Sequence, residues 1–134
     1  MADYFGHWLR IGTTAPDPAK LPRLYYVNWF RKDEDGRFLW PGYGENSRVL
    51  EWIFERTAGR GDAVETPIGN VPAPGAVDTG GLDVSKEDML ELLRVDDSEW
   101  RGEVPLIRAF YASFAERLPS ALADQVDALE QRLS

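Results

Sequence analysis

The chain has 134 residues, of which 43% are hydrophobic and 28% charged; this balance is typical of one folded domain and excludes a disordered chain. It has no cysteine and one histidine, which excludes disulfide frameworks, thiolate metal sites and cysteine nucleophiles. The formal net charge is −8. Because affinity for nucleic acid depends on dense lysine and arginine, this acidic chain is a poor candidate for binding RNA or DNA.

The cellular location is predicted from the same simple features. No apolar run approaches the roughly 20 residues needed to cross a bilayer. The N-terminus has no basic segment followed by an apolar one, as a secretory signal would. With no cysteine in the chain, these features predict a cytoplasmic protein.

The first forty residues predict a helix and a β-hairpin. Apolar residues recur at helical spacing within residues 3–11. Residues 24–30 are aromatic and β-branched, which predicts a mostly buried strand. A charged turn ending in Asp35-Gly36 precedes residues 37–40, and strand, turn and strand together predict a hairpin.

The next segment predicts a turn and a second helix. Pro41 followed by Gly42 favours a type II turn. Asn46 or Ser47 can then cap a helix that ends near Gly59.

The rest of the chain predicts a long loop and a helical C-terminal third. Residues 60–84 are predicted to be a loop with strand-like pieces at 64–66 and 68–71. A capping box at 85–88 opens a helix that continues to residue 93. Three more helices are predicted: one over 97–103, one with Pro105 in its first turn, and a last one capped by Ser120. The predicted fold class is α/β, or α+β for this piece alone.

Aromatic residues are concentrated near the predicted hairpin and turn. Phe30 and Tyr43 flank this region and Phe38 lies between them, so two ring faces can form a slot for a planar ligand such as a purine. Gly44 allows close approach of the backbone, and Asn46 offers an amide that can read a base edge. The alternative is that these rings belong to the hydrophobic core.

The segment over residues 26–52 resembles GTP-dependent phosphoenolpyruvate carboxykinase. It reads YVNWFRKDEDGRFLWPGYGENSRVLEW, and the family has an NWFRKD…G.FLWPG(F/Y)GENSRVLEW block near its C-terminus. The segments over residues 4–9 and 66–69 and the helical tail match the family as well. The resemblance covers nearly the whole chain.

The resemblance implies a guanine pocket. In the family the purine lies between two aromatic rings, a third ring closes the pocket, and an asparagine lies at the base edge. These roles fall on Phe30 and Tyr43 as the sandwich, Phe38 as the third wall and Asn46 as the edge reader. The Tyr43-Gly44-Glu45-Asn46 stretch then contacts the nucleotide.

The resemblance also implies which parts of the enzyme lie outside this chain. The family converts oxaloacetate and GTP into phosphoenolpyruvate, GDP and carbon dioxide with Mn²⁺ or Mg²⁺. This sequence has no GxxxxGK[ST] motif and no cysteine, so we expect no catalytic residue and no metal ligand in it. Residues 1–134 are then an incomplete C-terminal portion of the nucleotide-binding domain, inactive alone, with GTP or GDP as ligand and oxaloacetate bound only by the complete enzyme.

A second hypothesis is a non-catalytic nucleotide-binding or protein-interaction module that reuses the fold. Members of the family are usually monomeric. For a partial domain, however, we expect apolar rings such as Trp8 and Trp40 to be uncovered and the chain to self-associate.

Overall fold

The computed structural model describes residues 1–134, which divide into two compact units. Met1–Pro22 and Asp96–Ser134 form a helical unit, and Arg23–Val95 form a mixed unit. In chain order the elements are α1 (Ala2–Thr14), α2 (Asn46–Thr57), β1 (Ala63–Thr66), β2 (Gly69–Pro72), α3 (Lys86–Leu93), α4 (Asp97–Ala112) and α5 (Ser120–Arg132). The α+β class and the helical C-terminal third predicted from the sequence are therefore confirmed. None of the helices combines the length and the apolar character needed to cross a bilayer.

The helical unit has its own core between α4 and α5. Val104, Val126 and Leu133 are buried there, and Trp100 and Tyr111 are among the rings packed against them. The apolar stripe predicted for the last helix is confirmed, since its members Val126 and Leu133 are buried.

Helix α4 differs from the prediction of two shorter helices around Pro105. It is one continuous helix with the proline inside it. Proline lacks an N–H and so cannot donate to the carbonyl four residues earlier. Val104 before it and Ile107 after it both pack in the same core, and a continuous helix buries both side chains.

The core of the mixed unit is formed by Trp40, Trp52 and Val77. The prediction that Trp40 is uncovered is wrong, because its indole packs against Trp52 and is only 5% exposed. Trp8 on α1 is largely exposed, as predicted. Self-association therefore stays a prediction that now depends on rings such as Trp8.

The predicted buried strand over residues 24–30 is wrong. The segment belongs to no sheet, and Leu24 and Tyr26 are almost fully exposed. Tyr25 and Trp29 alternate with them and pack on the tryptophan core. Exposed and packed side chains therefore alternate as they do in a strand, but no neighbouring strand pairs with this segment through backbone hydrogen bonds.

The sheet of the structure lies instead in the predicted loop. Strands β1 and β2 pair antiparallel, with Val64 opposite Val71 and Thr66 opposite Gly69. These strands confirm the two strand-like pieces expected in that loop.

The N-terminal cap predicted from the sequence is present at α3 but not at α2 or α5. The Ser85 side chain accepts from the Asp88 backbone N–H, and the Asp88 carboxylate accepts from the Ser85 N–H, so the predicted capping box is confirmed. The sequence predicts Asn46 or Ser47 as the cap of α2 and Ser120 as the cap of α5, but Asn46 and Ser120 are the first residues of their helices and neither end has a side-chain cap. The Asn46 side-chain oxygen accepts from Trp40 instead.

Candidate nucleotide-binding site

Three aromatic rings of the mixed unit lie at the surface rather than in its core. Phe30, Phe38 and Tyr43 are 72%, 50% and 94% exposed. Phe30 and Phe38 contact each other edge to face, with centroids 6.3 Å apart and an interplanar angle of 66°. Tyr43 makes no ring contact with either. Two of the three predicted rings are thus brought together in an edge-to-face pair, and all three rings are exposed to solvent.

Phe30 and Phe38 lie at the two ends of a tight turn. The predicted hairpin over residues 24–40 is wrong as a sheet, since only Lys32 and Phe38 form a bridge. The Asp33 carboxylate closes the turn by accepting from the N–H groups of Asp35 and Arg37, at 3.1 and 2.9 Å. The Asp33 carboxylate thus provides hydrogen-bond acceptors for two backbone N–H groups within the turn itself.

The turn is attached to α3 by two arginines. Arg37 Nη2 lies 2.6 Å from Asp88 Oδ1, and Arg31 Nη2 lies 2.9 Å from Glu91 Oε1. Arg31 Nη1 also donates to the carbonyl of Arg94 at 3.0 Å. Because Arg31 directly follows Phe30 and Arg37 directly precedes Phe38, these contacts hold both rings in place.

Asp88 is the point where the turn and the start of α3 meet. The Arg37 guanidinium, followed by the backbone and side-chain hydrogen bonds from Ser85, lowers the pKa of Asp88 to about 2. A free aspartate has a pKa of about 3.9. A carboxyl group whose pKa is lowered on folding stabilises the fold above its unfolded pKa.

We therefore expect the mixed unit to lose stability as the pH falls from about 4 to about 2, because Asp88 becomes protonated over that interval. Urea midpoints measured at each pH by circular dichroism check this. Asp88→Asn should be less stable at neutral pH, and its acid dependence over this interval should be shallower. Asp83→Asn, the same change at an exposed position, is the control. Equal acid dependence of wild type and Asp88→Asn would contradict the expectation.

A positive charge lies beside the ring pair. Lys32 Nζ is 4.5 Å from the centroid of Phe38. An ammonium group at this distance interacts favourably with the ring face. Lys32 is therefore the positive group beside the ring pair, next in sequence to the carboxylate of Asp33.

The glycine-containing turn that follows carries three more of the predicted residues. Gly42 has φ 110° and ψ −160°, so its positive φ is as predicted, but its ψ is not that of a type II turn. Gly44 has open space where a Cβ would lie. The Glu45 carboxylate accepts from Arg48 Nε at 2.8 Å. Glu45 thus has partners within the protein for both its side chain and its backbone N–H, which donates to the carbonyl of Gly42 at 3.1 Å.

Arg48 holds this turn against the loop at residues 78–80. Its Nη1 donates to the backbone carbonyl and the carboxylate of Asp78, both at 3.1 Å, and its Nη2 donates to the carbonyl of Gly80 at 3.1 Å. Sequence reasoning missed Arg31, Arg37 and Arg48 as supports of the site. Their partners lie 30 to 63 residues away, and no local pattern indicates such pairs.

Asn46 lies half-buried at the start of α2, directly after this turn. Its Oδ1 accepts a hydrogen bond from the indole Nε1–H of the buried Trp40, at 2.9 Å. No further hydrogen bond of the Asn46 side chain is formed within the chain. Its amide NH₂ is therefore the group that remains for a ligand.

The acidic and histidine side chains do not assemble a metal centre. No group of three or more such side chains converges to hold an ion. The charged run at residues 33–35 is used for the turn and for Arg37. The residues of this chain do not fit the role of a resident metal site.

Comparison with known proteins gives a consistent result across the chain. Residues 1–132 match the family model described as phosphoenolpyruvate carboxykinase C-terminal P-loop domain. The chain is 57% identical over 134 residues to a protein of Neocallimastix frontalis named phosphoenolpyruvate carboxykinase [GTP], and 51% identical over 135 residues to one of Treponema pallidum with the same name. These alignments cover 99% and 100% of this chain but 22% of each relative. The chain thus spans about a fifth of the length of the curated relatives that it matches.

Proposed function

Because the chain belongs to the GTP-dependent phosphoenolpyruvate carboxykinase family, we propose that its mixed unit binds the guanine base of GTP or GDP. The base stacks against Phe30 and Tyr43, Phe38 forms the third wall, and Asn46 reads the base edge. The exposure of these three rings is the observation that carries the proposal, since apolar rings outside a core favour a planar ligand.

In this proposal the base fills the space between Phe30 and Tyr43, which make no ring contact with each other, and Phe38 closes the site through its edge-to-face contact with Phe30. The space around the Gly44 backbone is open to the nucleotide, and Lys32 adds a positive charge for its anionic part.

The reaction proposed for the whole enzyme converts oxaloacetate and GTP into phosphoenolpyruvate, GDP and carbon dioxide, with Mn²⁺ or Mg²⁺ held by residues outside this chain. Within this chain there is no GxxxxGK[ST] segment to hold phosphates. Its own contribution is to bind and orient the base, and alone it catalyses nothing. Residues 1–134 are a portion of the nucleotide-binding domain, and a cytoplasmic location remains part of the proposal.

The expected affinity is weak. Stacking contributes about 1–3 kcal/mol per base, so two ring faces give roughly 2–6 kcal/mol. Association also costs translational and rotational freedom, and a Kd of 1 mM corresponds to about −4.1 kcal/mol. Binding no tighter than about millimolar follows.

We expect GDP to shift the backbone resonances of residues 30–46 in an NMR titration of the ¹⁵N-labelled chain, with ADP weaker at equal concentration. Saturation is expected in the millimolar range. The same sample, supplied with oxaloacetate, GTP and Mn²⁺, should form no phosphoenolpyruvate. Indistinguishable shifts with the two nucleotides would contradict guanine recognition, and product formation would contradict the assignment of the catalytic groups to the rest of the enzyme.

A further inference from the structure

The orientation of the Asn46 amide is set by a neighbour that can only donate. Trp40 Nε1–H points to Asn46 Oδ1 at 2.9 Å. An indole nitrogen has no acceptor capacity, whereas an asparagine amide offers an oxygen on one side and an NH₂ on the other. If the amide were turned over, two donors would face each other. The oxygen must therefore face Trp40.

Trp40 cannot easily give up this arrangement. It is 5% exposed and packs with Trp52 and Val77 in the core of the mixed unit. Turning the Asn46 amide would leave a buried N–H without a partner, which is costly. The buried indole therefore holds the exposed end of the amide in one orientation.

The group left for a ligand is then the amide NH₂, which is a donor. Guanine has a carbonyl oxygen, O6, where adenine has an amino group. A fixed donor pairs with the guanine oxygen and opposes the adenine amino group. We propose that Trp40 is a positioning residue that makes Asn46 select guanine over adenine; this inference rests on the proposed function.

Trp40→Phe tests the inference, because phenylalanine fills much of the core position but has no N–H. In the full chain, NMR titrations with GDP and ADP give the ratio of their affinities. We expect this ratio to fall about two- to twelve-fold, the equivalent of one net hydrogen bond.

The chain offers a matched control in Trp52→Phe. Trp52 is buried to the same extent in the same core, and its indole N–H donates to the backbone carbonyl of Asp62 at 3.0 Å. This variant loses a buried indole hydrogen bond without touching Asn46. We expect its ratio of GDP to ADP affinity to equal that of the wild type.

Asn46→Asp tests the same inference from the other partner. The carboxylate still accepts from Trp40 but presents an acceptor, instead of a donor, to the ligand. We expect GDP to bind more weakly than to the wild type, because the carboxylate cannot donate to O6 and repels it. A GDP affinity equal to that of the wild type would overturn the inference.

Three further outcomes decide between the proposals. A ratio of GDP to ADP affinity in Trp40→Phe equal to that of the wild type overturns the role of Trp40 and leaves the proposed function standing. Absence of binding by either nucleotide to the wild type overturns both. In the free chain, the Trp40 indole N–H should exchange with solvent more slowly than in Asn46→Ala, and equal exchange rates would overturn the inference without any ligand.

Discussion

Trp52→Ala is expected to lower the free energy of unfolding of the mixed unit by about 3–5 kcal/mol. Trp52 is one of the three buried side chains of this core, and its indole also bonds to the carbonyl that directly precedes β1. Alanine removes both the packing and the hydrogen bond. For a unit of this size, each kcal/mol lowers the melting temperature by about 4–8 °C. Urea unfolding followed by circular dichroism, with amide exchange of α2 and β1, measures the loss.

Phe54→Ala is the control for this prediction. Phe54 lies on the same helix and is largely exposed, so its removal should change the free energy of unfolding by no more than about 0.5 kcal/mol. Similar destabilisation by the two variants would mean that the tryptophan core does not hold the mixed unit together.

Phe30→Ala is expected to weaken binding of GDP by about 1–3 kcal/mol, or roughly 5- to 150-fold. The ring is 72% exposed, so its loss removes a stacking face for the base and little packing within the protein. Starting from a millimolar affinity, the shifts caused by GDP should nearly disappear in the titration. The free energy of unfolding should stay within about 0.5 kcal/mol of the wild type.

Phe54→Ala again serves as the control, since it removes an exposed ring of the same unit outside the candidate site. Its affinity for GDP should not change. If Phe30→Ala bound GDP as tightly as Phe54→Ala does, the base would not stack on Phe30 and the proposed sandwich would be wrong.

The candidate site could be predicted from the sequence only at the level of which residues take part. Phe30, Phe38, Tyr43 and Asn46 were identified from their types and from the family resemblance. Their geometry was not, because it depends on ion pairs such as the one between Arg37 and Asp88, which are 51 residues apart. Both rings are attached to α3 through such pairs.

Asn46 shows the limit of local reasoning. From the sequence, Asn46 or Ser47 can cap the helix, and Asn46 can offer its amide oxygen and nitrogen to a base edge. In the structure, Trp40 occupies the oxygen, so the residue has no capping bond and keeps only its NH₂ for a ligand. The tryptophan six residues earlier gives no sign of this in the sequence, because its N–H could have bonded elsewhere, as that of Trp52 does.

By itself, the amino-acid sequence determined the features whose interactions are local: the Ser85 and Asp88 cap of α3, the short strands near residue 65, and the apolar stripe of α5. The cap and the strand pair are formed between residues close together in the sequence, and the stripe of α5 follows from the helical spacing of its apolar residues. Only the tertiary structure decided that residues 24–30 form no strand, that α4 continues through Pro105, and that the Asn46 oxygen accepts from Trp40. In each case the partner that packing supplies or withholds, rather than the local pattern, determines the result.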